Sequence, residues 1–327
     1  MKIKDRIDKN ACKIGKRKED MDSTSISLQH VTSLESAISL FWGSGRRIVQ
    51  KERVFGGDIN QAFRLTLSDG THLFMKTNDK QNKCFFTAEA VGLAAIAQCR
   101  AVGTPHVFCA GTEEDGGGFS FLLMEFIQGA GRIRHYWETF AHELAALHQA
   151  PAAEFTGGGK YGFIQDNYIG RREQQNTVHD SWVSFFRDCR LEPQFRQAVH
   201  YFSTSDLKMV DRLLSHLDEI LVEPEQPSLL HGDLWSGNVI TGKDGKAWMI
   251  DPAVYVGHAE ADLAMTELFG GFPREFYDAY REAASWQPGY ESRRDLYNLY
   301  QLLNHLNMFG GSYLTSVKRI LSFYVEN

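Results

Sequence analysis

One segment constrains this chain more than any other: His231-Gly-Asp-Leu-Trp-Ser-Gly-Asn238, followed by a short stretch ending Met249-Ile-Asp-Pro252. It sets a carboxylate and an amide five residues apart on a loop, with a second carboxylate after the next strand. An Asp in such a loop accepts a hydroxyl proton, while Asn and a second Asp supply the hard oxygen ligands that Mg²⁺ prefers. The pattern fits phosphoryl transfer from a magnesium nucleotide, with Asp233 as base and Asn238 and Asp251 as metal ligands. His231 is expected to order the loop, since a neutral imidazole anchors backbone groups. Trp235, two positions after the base, reads either as a packing residue or as a wall for the acceptor.

A nucleotide needs further groups, and the first half of the chain supplies candidates. Gly56-Gly57-Asp58-Ile59-Asn60 falls between two strand-like runs, where glycines let backbone N–H groups approach phosphate oxygens. Gly56, Gly57 and Asn60 are therefore candidate contacts, although paired glycines also serve as plain turns. No strand–GxxxxGK[ST]–helix pattern occurs. Lys76 ends the run His72-Leu-Phe-Met-Lys76, and Glu89 follows thirteen residues later in a helical stretch. A strand Lys paired with a helix Glu holds nucleotide phosphates in kinases; the bland alternative is a surface Lys and a solvated Glu. Leu122-Leu-Met-Glu-Phe-Ile127 leaves a strand just as the helical part begins. There Met124, Glu125, Phe126 and Ile127 are expected to offer backbone groups and apolar walls to adenine.

The periodicity predicts a helix over 33–42, strands at 48–54, 61–67 and 72–76, a helix over 85–101, and strands at 107–109 and 119–125. Beyond 128–131 helices are expected over 135–148, 182–202 and 205–221, then a hairpin at 239–241 and 247–250, then helices from Asp262 onward. The fold class is therefore α+β, with a small antiparallel-sheet lobe at 25–126, a larger helical lobe at 127–327 and a hinge near 124–131. Asp262 reads either as a helix cap or as a brace under the catalytic loop. His142, His148 and His305 read as satisfied, half-buried helix residues. Only ten residues separate Asp251 from Asp262, too few for a long peptide-binding segment, which favours a small-molecule acceptor.

Bulk properties exclude other classes. With a formal charge of −6 the chain is not expected to bind nucleic acid, and no apolar run is long enough for a membrane span. Five scattered cysteines with no CxxC pair read as reduced cytoplasmic thiols. Residues 1–24 form a basic tail with no signal-peptide core. Within Met1–Asp20 it carries eight Lys or Arg against four acids. It reads as a solvated tail or as an over-extended start before Met21, with a nucleic-acid or membrane arm as the alternative.

These residues resemble the fructosamine kinase (ketosamine-3-kinase) family, a branch of the aminoglycoside-phosphotransferase and choline-kinase group. The most specific elements are Leu229-Leu-His-Gly-Asp-Leu-Trp-Ser-Gly-Asn238, Ile250-Asp-Pro-Ala253 and Gly257-His-Ala-Glu-Ala-Asp-Leu-Ala264. Phe269-Gly-Gly-Phe272 and Trp182-Val-Ser-Phe-Phe186 with Arg190-Leu191 add to them. The resemblance runs from about Ser27 to the C-terminus and implies a protein-kinase-like fold. It also implies ATP and Mg²⁺ as cofactors and phosphorylation of the 3-hydroxyl of a ketosamine, free or on a glycated protein, as a step in deglycation. Some relatives carry a Cys in the glycine-rich loop; this chain has Asp58 and no thiol there, so redox control through that loop does not carry over. Two alternatives stay open: a kinase of the same fold acting on an aminoglycoside, choline or sugar, and a non-catalytic nucleotide-binding module.

Overall fold

The structure, a computed structural model, describes residues 30–54, 59–114, 118–284 and 286–326. The basic tail and the glycine pair Gly56-Gly57 lie outside the described residues.

The first described element group is a six-stranded sheet. Its strands are β1 (His30–Val31), β2 (Ile48–Val54), β3 (Gln61–Leu67), β4 (His72–Asp79), β5 (Val107–Glu113) and β6 (Phe119–Glu125), in the order β1-β5-β6-β4-β3-β2. All neighbours are antiparallel except β1, which runs parallel to β5. Two helices cover it: α1 (Leu34–Trp42), capped by Ser33, and α2 (Lys83–Cys99). Side chains alternate across a strand, and each face has its own apolar cluster. Leu73 and Met75 of β4 join Phe121 and Leu123 of β6 under α1. Met124 and Leu122 of β6 pack with Phe86, Ala90 and Leu93 of α2 on the other face.

The rest is mainly helical: α3 (Tyr136–Gln149), α4 (Trp182–Phe185), α5 (Glu192–Gln197), α6 (Thr204–Ser215), α7 (Leu217–Ile220), α8 (Glu260–Leu268), α9 (Arg274–Ala283), α10 (Tyr290–Phe309) and α11 (Leu314–Glu326). One core runs through it, with Phe140, Trp182, Phe185, Phe186 and Phe276 almost fully buried. The two-lobed α+β architecture read from the sequence is therefore the one found.

Three local readings need correction. The helix expected over 182–202 runs only to Gln197 and is not uniform: a π-helical turn spans Phe186–Leu191 between α4 and α5, and a 3-10 turn follows at Val199–Tyr201. Pro193 has no N–H, so a continuous helix would orphan the Cys189 carbonyl; the Arg190 guanidinium donates to that carbonyl instead, at 3.0 Å. The stretch 205–221 divides at His216, whose φ of −121° is not helical. Three short pairings were not anticipated, because three-residue strands carry too little pattern. They are β7 (Asn167–Ile169) with β8 (Arg172–Gln174), and β9 (Ser228–Leu230) with β12 (Tyr255–Gly257), besides the edge strand β1. The anticipated hairpin is β10 (Val239–Thr241) with β11 (Ala247–Met249).

Candidate active site

β9 delivers the chain into the loop 231–238, and the sequence there reads as a set of backbone requirements. Gly232 sits at φ +81°, and a Cβ would lie 2.0 Å from the Ala253 carbonyl oxygen, so only glycine fits. Asp262, in the first turn of α8, accepts from the backbone N–H groups of His231 (2.7 Å) and Gly232 (2.9 Å). Of its two sequence readings, the brace holds and the cap does not. His148 Nε2 meets the same carboxylate at 3.3 Å while its Nδ1 pairs with the Tyr280 hydroxyl. This histidine is fully buried rather than half-buried, His305 pairs with the Gln301 carbonyl, and His142 is exposed. Burial keeps the His231 imidazole neutral by lowering its pKa. Its Nε2 lies 2.9 Å from the Ile250 carbonyl and its Nδ1 accepts from the Asp233 N–H at 3.3 Å, which fixes the Nε2–H tautomer. The loop is thus ordered by His231, as expected.

Asn238 closes the loop onto Asp233. Its Nδ2 donates to the Asp233 carbonyl (2.8 Å) and to Asp233 Oδ2 (3.1 Å), leaving Oδ1 as the remaining acceptor of the amide. The Ile250 N–H donates to the Asn238 carbonyl, so β10 and β11 carry Asn238 and Asp251 side by side. Burial, with the nearby charges of Asp251 and Asp262, pushes the Asp233 carboxyl up to about 7 against the Asn238 bond. Asp251 adopts φ +56°, a left-handed conformation rare for a residue with a Cβ and typical of functional loops.

Lys76 follows from strand alternation. It stands opposite Leu122 of β6 and so faces α2, where Glu89 meets its Nζ at 2.6 Å. The same Nζ reaches Asp251 Oδ1 at 2.5 Å. Burial disfavours the ammonium, but Asp251 and Glu89 overcome it and raise the Lys76 pKa. The residue is a fixed cation.

Two cavities meet around these groups. One of about 550 Å³ is walled by Val54, Ala62, Phe74, Leu93, Met124 and Ile250 and also touches Glu125, Phe126 and Ile127, where the chain leaves the sheet. The other, of about 650 Å³, has Asp233 on its wall and continues past Phe85, Tyr168, Asn304, His305, Phe309 and Tyr313. Asn60, Lys76, Glu89, Trp235, Asn238 and Asp251 line both.

The description "fructosamine kinase" belongs to the family model that matches residues 31–327. A chain of Synechocystis sp. described as a probable ketoamine kinase is 38% identical over 291 residues, covering 88% of this chain and 95% of that one. The chloroplastic protein-ribulosamine 3-kinase of Arabidopsis thaliana is 36% identical, covering 87% and 85%. A solved structure of a fructosamine-3-kinase-like protein from Thermobifida fusca superposes with a TM-score of 0.76 at 31% identity, covering 91% and 100%. This chain belongs to the fructosamine kinase family. It is an ATP-dependent phosphotransferase.

The family resemblance carried by the loop 231–238 therefore led to the right relatives. The structure brings Asn60, Lys76, Glu89, Met124–Ile127, Asp233, Trp235, Asn238 and Asp251 into one cleft; Gly56 and Gly57 lie outside the described residues. Trp235 is 37% exposed and bends back over its own loop, where a Cβ at Gly237 would meet its indole at 2.3 Å. That contact gives the Trp-Ser-Gly order a physical reason. Residues not anticipated are those of the second cavity: Phe85, Asn167, Tyr168, Asn304, His305, Phe309 and Tyr313. They come from three separate stretches with no shared motif. Among the described residues no helix is long and apolar enough to cross a membrane.

Proposed function

We propose that this member of the fructosamine kinase family transfers the γ-phosphoryl group of ATP to the 3-hydroxyl of a ketosamine, with residues 25–126 as nucleotide lobe and 127–327 as catalytic and acceptor lobe. One observation carries the reading: Asp233, held by Asn238, opens on a cavity that shares Lys76, Asn238 and Asp251 with an apolar cavity suited to a purine. The apolar walls and the exit of β6 take adenine, through Met124, Glu125, Phe126 and Ile127. Lys76, kept charged by Glu89, exchanges its Asp251 contact for phosphate oxygens. Asp233 orients the acceptor hydroxyl and takes its proton as the oxygen attacks, worth typically ~10²–10⁴-fold.

The donor set fits Mg²⁺. Asn238 Oδ1 is free of the two bonds made by its amide nitrogen, and Asp251 is 43% exposed toward the cleft. Mg²⁺ characteristically takes one or two protein oxygens and completes its shell with phosphates and water; in keeping with this, no cluster of three His, Cys, Asp or Glu suited to a metal occurs among the described residues. Bound there, the ion would supply positive charge against the transferring phosphate.

A small acceptor is favoured because the short link after Asp251 is spent on β12, which pairs with β9. The second cavity offers Trp235, Tyr168 and Phe85 as flat walls beside polar groups, a mixture suited to a sugar. The four free thiols among the described residues accord with a cytoplasmic setting. The test is ADP release with Mg-ATP against ribulose-lysine, fructose-lysine, choline, kanamycin and fructose. Turnover confined to the ketosamines is expected; turnover only on choline or kanamycin overturns the acceptor, and no turnover with ATP bound overturns the catalytic reading.

A further inference from the structure

Helix α10 runs beside the catalytic loop, and residues three apart on a helix share a face. Gln301 uses that face to reach the loop: its Nε2 donates to the Gly232 carbonyl at 3.0 Å, one residue before Asp233. Asn304 comes one turn later. It is 1% exposed and lines the 650 Å³ cavity on which Asp233 opens. Neither its Nδ2 nor its Oδ1 has a hydrogen-bond partner.

That is an unusual state for an amide. Its nitrogen has two donor hydrogens and its oxygen two lone pairs, and burying them unpaired works against folding. Other unpaired amide oxygens on α10, at Asn298 and Gln301, do not line this cavity. Only at Asn304, among the described residues of α10, is a wholly unpaired amide set in the wall of the acceptor space.

We propose that Asn304 is a specificity-determining residue of the acceptor site, hydrogen-bonding sugar hydroxyls next to the one presented to Asp233. The proposal rests on the ketosamine reading above. A 1-amino-ketose carries a run of adjacent hydroxyls, each both donor and acceptor. The amide nitrogen donates to one hydroxyl oxygen and the amide oxygen accepts from another. A choline-like alcohol has a single hydroxyl, needed at Asp233, and would leave the amide buried and unpaired. A site built to bond a hydroxyl rejects analogues lacking it far more strongly than an apolar pocket rejects a missing methylene. Asn304 thus selects polyhydroxylated acceptors.

The test compares wild type with Asn304→Leu and Asn304→Ala on ribulose-lysine and its 4-deoxy and 5-deoxy analogues, with thermal midpoints and the KM for ATP alongside. Wild type is expected to prefer the parent over at least one deoxy analogue by on the order of 10²-fold in kcat/KM. In Asn304→Leu, kcat/KM on the parent falls by about that factor, the preference shrinks to within a few-fold, and the KM for ATP holds. The thermal midpoint of Asn304→Leu does not fall, because no protein hydrogen bond is lost. A variant that keeps the wild-type preference against both analogues overturns the proposal. So does one that loses thermal stability with unchanged kcat/KM, which marks a structural amide. Wild-type turnover of ribulose-lysine separates the two claims. Its absence sinks the ketosamine reading and this proposal with it, whereas turnover with an indifferent Asn304→Leu sinks this proposal alone.

Discussion

The two cavities meet at Lys76, Asn238 and Asp251 but are built differently. The side we propose for the nucleotide is walled largely by strands, and its residues are placed by two-residue alternation: Ala62 and Lys76 stand across the ladder from one another on one face, while Met75 and Leu73 turn to the other. The side we propose for the acceptor gathers side chains from α2, the β7–β8 hairpin, the loop 231–238 and the end of α10, with no common period. One side is apolar and regular, the other mixed and assembled from distant stretches. The contrast separates what every kinase of this fold must do, hold ATP, from what a particular family must recognise.

Predictions sharpen that contrast by acting on one side at a time. The largest effect is expected at the proposed base, on the acceptor side. Asp233→Asn should lower kcat by on the order of 10³-fold while the ATP dissociation constant, measured by calorimetry, stays within a few-fold. Near-normal turnover would remove Asp233 from the base role. Burial first, then the charges of Asp251 and Asp262, holds its carboxyl up at about 7. The base is therefore lost to protonation as pH falls, and kcat/KM should rise with pH through a midpoint at about 7 to a plateau above it, the midpoint moving down when Mg²⁺ adds positive charge. The same shift has a stability sign. Between about 4 and 7 the folded state keeps a proton that the unfolded chain releases, so folding weakens as pH rises through that window. Asp233→Asn, uncharged, should accordingly show a higher Tm than wild type at pH 8; a lower one would contradict the burial account.

Lys76→Ala acts at the junction, through the nucleotide phosphates. It should cut kcat/KM for ATP by on the order of 10²-fold with little change in the acceptor KM, and an unaltered ATP dependence would break the Lys76–Glu89 assignment. Ala62→Phe should fill the purine space and raise the KM for ATP about tenfold, since overpacking costs roughly 1–3 kcal/mol. A shift in the acceptor KM instead would mean that the cavities are assigned the wrong way round.

The smallest effect lies outside the cleft. Asp206 completes the capping box of α6 with Ser203 and accepts from Lys318 of α11 at 2.7 Å. The Lys318 bond, with the Ser203 bonds, holds its carboxyl down at about 2 against burial. Its stabilisation is present above about 4 and is lost as pH falls toward 2. Asp206→Asn should lower Tm by about 2–4 °C at pH 7, with the gap closing in scans below about pH 4 and both KM values unchanged. A gap independent of pH would assign the effect to packing rather than charge.

The same contrast explains what the sequence disclosed. That Asp233, Asn238 and Asp251 share one cleft was legible because phosphoryl transfer, as proposed, asks for fixed residue types at short spacing, and the Lys76–Glu89 pair because a strand and the next helix are near in sequence. Asn304 was invisible, since an Asn in a helix looks solvated until its burial and missing partners are seen. Asp262 was ambiguous for a related reason: its partners His231 and Gly232 are some thirty residues away, so only the fold decides between cap and brace. The π-turn before Pro193 was missed, since 182–202 read as one helix; its accommodation of Pro193, with Arg190 donating to the Cys189 carbonyl, shows only in the fold.

The most direct test is the position of the transferred phosphate. With Mg-ATP and ribulose-lysine, phosphorus NMR and mass spectrometry of the product should show one phosphoester, on the oxygen of C3, formed in step with ADP. A phosphoester on another hydroxyl, or ADP released with no phosphorylated ketosamine, would contradict the account.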